Sequence, residues 1–284
     1  MTIPSIAAYP LPAAASLPVN RVKWQIAPRR AVLLIHDMQD YFLRFYGEDN
    51  PLRQGLVANI GRLRDWADES GVPVVYTAQP TEQSAADRAL LNDMWGPGLT
   101  VADPALQRVT PALAPRAHDT VLVKWRYSAF HRSDLETRMR DWDRDQLIIA
   151  GVYAHIGCMT TALDAFMRDI RPFLVADALA DFSEAEHRMA LTYVAGRCGV
   201  VLDTDSVALA GDRVAWLRQR LPEHVRDAGV AGDDNLVDHG LDSLEVMQLV
   251  AEYERAGVRV SFEELAASPT LDAWAALFDR RLAA

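Results

Sequence analysis

The chain has 284 residues, 50% hydrophobic and 24% charged, with a formal net charge of −10 at pH 7. That length favours one large domain plus one small one, and the acidic excess argues against a nucleic-acid partner. With only Cys158 and Cys198, no basic start for a secretory signal and no apolar run near the ~20 residues that span a bilayer, the expectation is a cytoplasmic chain without a disulfide framework, cysteine zinc site or membrane partner.

The first apolar run is Ala31–His36, followed by an amphipathic stretch over Leu52–Ser70. Runs at Pro73–Tyr76, Thr120–Val123, Gln146–Ala150, Phe173–Ala176 and Gly199–Leu202 follow. Helical patterns lie between them at Leu135–Asp143, Met159–Asp169 and Ser183–Cys198. The runs are rich in Val, Ile and Leu and mostly lack polar alternation, as strands buried on both faces do. The alternation predicts an α/β fold: a doubly wound parallel sheet with helices on both faces, in three α/β/α layers.

The pattern changes around Asp203–Arg213. Beyond it only helices are predicted, over Val214–Arg226, Ser243–Ala256, Phe262–Leu265 and Leu271–Leu282, which suits a small C-terminal four-helix bundle. Ser261 with Glu264 fits a capping box, and Thr270 is placed to cap the last helix. From Val214 to Ala284 there are 13 acidic and 7 basic residues, a net of −6, so most of the excess charge belongs to this module. Such a module suits basic partner surfaces. The helix after Ser243 has two apolar lines, one through Val246, Leu249, Val250 and Tyr253 and the other through Leu244, Met247 and Ala251. One line closes a core; the second is expected to dock partners, with Met247 as an adaptable contact.

Ligands of open α/β sheets sit beyond the carboxyl ends of the strands. Those ends carry His36-Asp37, Thr77-Ala78-Gln79, Lys124-Trp125-Arg126 and the run from Gly151 through Tyr153 to Gly157. An acid, an amide, a cation and a phenol beside a glycine suggest one site, with the buried charges paired. The histidines show no H-E-x-x-H spacing, and no G-x-G-x-x-G follows a strand. Neither a metal nor a dinucleotide is therefore expected, and His36 and His155 are expected in structural hydrogen bonds.

Longer motifs carry a resemblance. The segments Leu33–Phe42, Tyr76–Pro80, Asn92–Gly98, Lys124–Phe130 and Gly151–Met159 resemble isochorismatase, across nearly all of residues 1–205. Gly240–Tyr253, with Ser243 directly after Asp242, resembles the phosphopantetheine attachment site of carrier proteins, within a likeness of about 70 residues. The whole chain resembles the bifunctional isochorismatase/aryl carrier proteins of catecholate siderophore assembly, of the enterobactin or vibriobactin type. The resemblance implies an isochorismatase domain over 1–207 and an aryl carrier domain over 208–284.

It also implies a reaction, the hydrolysis of isochorismate to 2,3-dihydro-2,3-dihydroxybenzoate and pyruvate. Asp37 matches the general acid, and Lys124 and Tyr153 are expected to contact the enolpyruvyl group. Gln79 is expected to hydrogen-bond a substrate hydroxyl or carboxylate, Arg88 to form a forked pair with a carboxylate, and Phe42 and Trp95 to wall the pocket. Gly157 stands where cysteine-type amidohydrolases of the wider superfamily carry their nucleophile. Its missing side chain is expected to close the covalent route and leave room for a bulky cyclic substrate. The alternative is a nicotinamidase-like amidohydrolase using Cys158, which lies about 100° further round a helix. An acid beside Lys124 must still hold a proton, and a bound dianion is expected to load it. In the small domain the resemblance implies 4′-phosphopantetheine on Ser243; the plainer alternative is that this serine simply caps its helix. The implied partners are a phosphopantetheinyl transferase, an aryl-acid adenylating enzyme, a condensing nonribosomal synthetase and, through the large domain, a second copy of the chain.

Overall fold

Six parallel strands organise the larger part of the protein, in a computed structural model that describes residues 3–283. The chain divides into two compact units, one ending at Val207 and the other beginning at Ala208. In the first, β1 (Ala31–His36), β2 (Val74–Ala78), β3 (Thr120–Val123), β4 (Gln146–Val152), β5 (Arg171–Ala180) and β6 (Val200–Leu202) form one sheet in the order β3-β2-β1-β4-β5-β6. Every pairing is parallel. β1 and β4 are entirely buried, which is why they carry unbroken aliphatic runs.

Alternate residues of the strands feed opposite layers. Val32, Leu34, Leu147, Ile149 and Leu174 pack with Met139 of α2 (Leu135–Asp141), Ala162 of α3 (Met159–Phe166) and Leu191 of α4 (Glu184–Arg197). The other face meets α1 (Pro51–Glu69), whose Arg64 donates to the Tyr76 hydroxyl at 2.6 Å. Helix α1 starts where expected because Asn50 accepts from Leu52 N and Pro51 takes the first helical position. Strand β5 runs four residues beyond its predicted end. Asp177 reads as a terminator in sequence, but its carboxylate is satisfied inside the fold by Thr204 N, Thr204 Oγ1 and Asn59 Nδ2.

The second unit is helical: α5 (Arg213–Arg220), α6 (Glu223–Asp227), α7 (Ser243–Arg255), α8 (Phe262–Ala267) and α9 (Leu271–Ala283). The single helix predicted over 214–226 is two. Pro222 lacks an N–H and keeps Leu221 extended, at φ −61° and ψ 148°, so the helix ends there. Tyr253 sits at the centre, with ring centroids 5.6 Å from Trp216, 5.0 Å from Phe278 and 6.3 Å from Trp274. Ser261 and Glu264 form the expected capping box, and Thr270 accepts from Ala273 N.

Candidate active site and attachment serine

The sheet order reverses between β1 and β4, so their carboxyl ends open a crevice. A cleft open to solvent lies there. It is lined by all the residues predicted for this unit: Asp37, Phe42, Gln79, Arg88, Trp95, Lys124, Tyr153 and Gly157. Asp37 follows β1 with φ +51°, a left-handed conformation that a non-glycine residue holds only when its surroundings impose it. Here the neighbouring strand imposes it. Asp37 N donates to Thr77 Oγ1 at 3.1 Å, and Thr77 Oγ1 donates to Asp37 Oδ1 at 2.6 Å. Lys124, at the end of β3, places Nζ 3.0 Å from Asp37 Oδ2, with both side chains almost fully buried. Thr77 was visible as a strand-end residue but carried no predicted role.

His36 is also fully buried. Its Nδ1 donates to Val152 O at 2.8 Å and lies 3.7 Å from Asp37 Oδ2. Burial, and then the Lys124 charge, lower its pKa to about 4, so the ring is neutral near pH 7. It changes the reading of Gly157. An ideal Cβ on Gly157 would overlap the His36 ring at Cε1. The space freed by the missing side chain is therefore filled by imidazole and is not left for a cyclic substrate, as the sequence had suggested. Gly151 serves the same approach: at φ +116°, a Cβ there would strike the His36 main chain.

Cys158 belongs to the core. It is fully buried among Leu34, Ala162 and Leu179, and burial pushes its thiol well above the usual range. The backbone after β4 forms one π-helical turn, Ala154–Cys158, in which Ile156, Gly157 and Cys158 all direct their N–H groups at Tyr153 O. Amides held this way are not offered to a developing oxyanion. His155 pairs with the buried Asp181, Nδ1 to Oδ1 at 2.6 Å. Burial opposes its charge, yet the Asp181 contact outweighs this and raises its pKa. With Glu186 these side chains would be close enough to share a cation. Asp181 already accepts from His155 N and Phe182 N, and Glu186 accepts from Ser183 Oγ.

The walls are aromatic. Phe42 lies edge-on to Tyr153 at 6.0 Å, and Phe182 packs 4.5 Å from Tyr153 and 6.0 Å from Trp95. The Tyr153 hydroxyl donates to Phe42 O at 3.0 Å, so its phenol is engaged within the wall, and the contact predicted for it with an enolpyruvyl group falls to the ring. Trp95 Nε1 donates to the Tyr127 hydroxyl at 2.9 Å. Phe182 follows β5 and had no signature in the sequence. Arg88 is 5% exposed, donates from Nε to Gly96 O at 2.8 Å, and has its pKa lowered mainly by burial.

A model of the isochorismatase domain matches residues 31–206, and a model of the phosphopantetheine attachment site matches residues 216–278. The chain belongs to the isochorismatase family. It is 54% identical to enterobactin synthase component B of Escherichia coli K12, over 99% of this chain and all of that protein. It is 45% identical to an isochorismatase of Bacillus subtilis, over 99% of this chain and 96% of the relative. Among solved structures, a cysteine hydrolase from Pseudomonas syringae pv. phaseolicola shares the isochorismatase-like fold at a TM-score of 0.61 and 29% identity, covering 69% of this chain and 97% of its own.

In the helical unit, Ser243 is exposed and is the first residue of α7. It does not cap the helix, so the plainer alternative for it does not hold. Asp242 is the cap: its Oδ1 accepts from Glu245 N at 2.9 Å, while Glu245 Oε2 accepts from Asp242 N at 3.0 Å. The Ser243 hydroxyl is therefore free of the capping task. Of the two apolar lines of α7, Val246, Leu249 and Tyr253 are buried, whereas Leu244 and Met247 are 63% and 59% exposed. Among the described residues, no helix is long and apolar enough to cross a membrane.

Proposed function

We propose that the protein hydrolyses isochorismate to 2,3-dihydro-2,3-dihydroxybenzoate and pyruvate, and that residues 208–284 carry an aryl acid as a phosphopantetheine thioester for siderophore synthesis. The buried Asp37–Lys124 pair at the head of an aromatic cleft carries the first half of this reading. The substrate bond is a vinyl ether. Asp37 delivers a proton to its terminal methylene, which leaves an oxocarbenium ion. Water adds to the cationic carbon that bears the ether oxygen and loses a proton, and the hemiketal collapses to release pyruvate and the ring hydroxyl. A positioned acid of this kind contributes about 10²–10⁴-fold in rate.

No protein nucleophile takes part, which suits a site where Gly157 and the His36 ring fill the place a thiol would need. Lys124 holds the Asp37 carboxylate in place. Gln79 hydrogen-bonds the substrate, Arg88 takes a carboxylate, and Phe42, Trp95 and Tyr153 enclose the ring. In the second unit, phosphopantetheine is attached at Ser243, the exposed first residue of α7, whose hydroxyl is left free because Asp242 caps the helix. A phosphopantetheinyl transferase, an aryl-acid adenylating enzyme and a condensing synthetase act on this unit in turn, with the exposed Leu244–Met247 face of α7 as the docking surface. The large unit self-associates.

Two assays test the reading together. Pyruvate is released from isochorismate, with the water oxygen in pyruvate and none in the ring hydroxyls of the diol when the solvent is H₂¹⁸O. Mass spectrometry shows one phosphopantetheine arm added by a transferase and coenzyme A. Heavy oxygen in the diol, or a chain that gains no arm, contradicts the corresponding half.

A further inference from the structure

Three cations line the cleft, Arg88, Lys124 and Arg126, against one carboxylate, Asp37. Lys124 is taken by Asp37. The two arginines remain, and among the described residues neither has a carboxylate in ion-pair reach. Arg88 turns to Gly96 O and, at 3.4 Å, to Gln83 Oε1. Arg126 spends Nη1 on two backbone carbonyls, Asp87 O at 2.9 Å and Trp125 O at 2.7 Å, which leaves Nε and Nη2 without a protein acceptor. A guanidinium anchored on one nitrogen and open on the others is pre-shaped for a forked contact with a planar anion. Arg126 lies two residues past Lys124 on the segment leaving β3, and both side chains line the cleft. With Asp37 ionised the lining carries a surplus of two positive charges, which matches a ligand bearing two carboxylates.

We propose that Arg126 is a second carboxylate-binding residue of the cleft, so that the substrate dianion is held at both ends, one carboxylate by Arg88 and the other by Arg126. This rests on the reading of the cleft as an isochorismate site and adds a specificity determinant to it: the site selects dicarboxylates over monocarboxylates. The rival explanation is structural. Because Arg126 grips the carbonyl of Asp87, it braces the turn that carries Arg88, and its loss would then weaken only the carboxylate that Arg88 binds.

Two monocarboxylate probes separate the cases. One is the ring product, 2,3-dihydro-2,3-dihydroxybenzoate; the other is an O-alkyl enolpyruvate such as 2-methoxyacrylate. Each is titrated by ligand-observed NMR into the full chain, as wild type, Arg88→Gln and Arg126→Gln. The proposal predicts that each substitution weakens a different probe by about tenfold or more and leaves the other within about twofold. For isochorismate itself, Arg126→Gln raises KM about tenfold or more with kcat nearly unchanged, the mark of a contact present in ground and transition states alike. If Arg126→Gln does not fold, Arg126→Lys keeps the charge without the fork and is predicted to show a smaller loss on the same probe. Loss of the same probe in both variants, or of neither in Arg126→Gln, overturns the proposal. Wild-type protein that releases no pyruvate overturns the underlying reading instead.

Discussion

The two units use burial in opposite ways. The sheet unit buries Asp37, Lys124, Arg88, His36 and Asp181, whereas among the described residues the helical unit buries no charged side chain at all. Its core is Trp216, Tyr253, Trp274, Phe278 and aliphatic side chains, and its chemically interesting residue, Ser243, stands in solvent. A catalytic proton transfer is strengthened by excluding water, so the enzyme unit accepts the desolvation of a paired acid and base. A carrier has to offer its cargo to several partners, so its chemistry belongs outside a plain apolar core. The contrast shows how one chain combines a buried site with an exposed one.

Removing one function should leave the other intact, and this is where the largest effect lies. Ser243→Ala should lose all of the covalent arm, measured as intact mass after incubation with a transferase and coenzyme A, with pyruvate release unchanged. Slowed hydrolysis would break the separation. A smaller effect probes the packing of the buried site. Gly157→Ala drives a methyl group into the His36 ring and should cost about 1–3 kcal/mol in chemical denaturation. Adding His36→Ala opens that space, so the double variant should be more stable than the sum of the two single losses predicts. Strict additivity would mean that the two residues do not share the space.

Acid should affect the sheet unit in particular. Burial lowers both His36 and His187 to about 4. A depressed histidine pKa means that the unfolded chain takes up the proton first. The stability these rings contribute is therefore complete above about pH 6.5 and lost as pH falls towards about 4. Asp177, raised to about 6 by burial, acts in the opposite sense and favours the folded state as pH falls from 6. Melting curves against pH should show a steeper acid loss in Asp177→Asn and a shallower one in His187→Gln. Identical slopes in all three proteins would count against the burial argument. The smallest stability effect is expected at Met247→Asp, within about 0.5 kcal/mol of wild type, since the side chain is exposed. Loading and transfer to the partner enzymes should nevertheless fall, and full transfer would remove α7 as the docking face.

Much of this was legible in the sequence, and for physical reasons. Strands buried on both faces have to be aliphatic, so β1 and β4 announced themselves, and the strand-end rule then pointed to Asp37, Gln79, Lys124 and Tyr153. Three misreadings share a cause, since each depends on a partner distant in the chain. Asp177 hid the last residues of β5 because Thr204 and Asn59 satisfy it. Gly157 was read as open space because the ring that fills it comes from β1. Arg126 passed as an ordinary strand-end cation because only the fold shows which of its nitrogens are occupied. Two points were readable from local sequence. Pro222 is a plain helix stop, and Asp242-Ser243-Leu244-Glu245 is a capping box whose cap is the aspartate.

The central claim is that the carboxylic acid of Asp37, gripped by Lys124 and Thr77, donates the proton that starts hydrolysis. Pyruvate release by Asp37→Asn tests it most directly, because asparagine keeps the shape and most hydrogen bonds but has no acidic proton. The account predicts a fall in kcat of at least about a hundredfold, with isochorismate still bound. Turnover at the wild-type rate would contradict it.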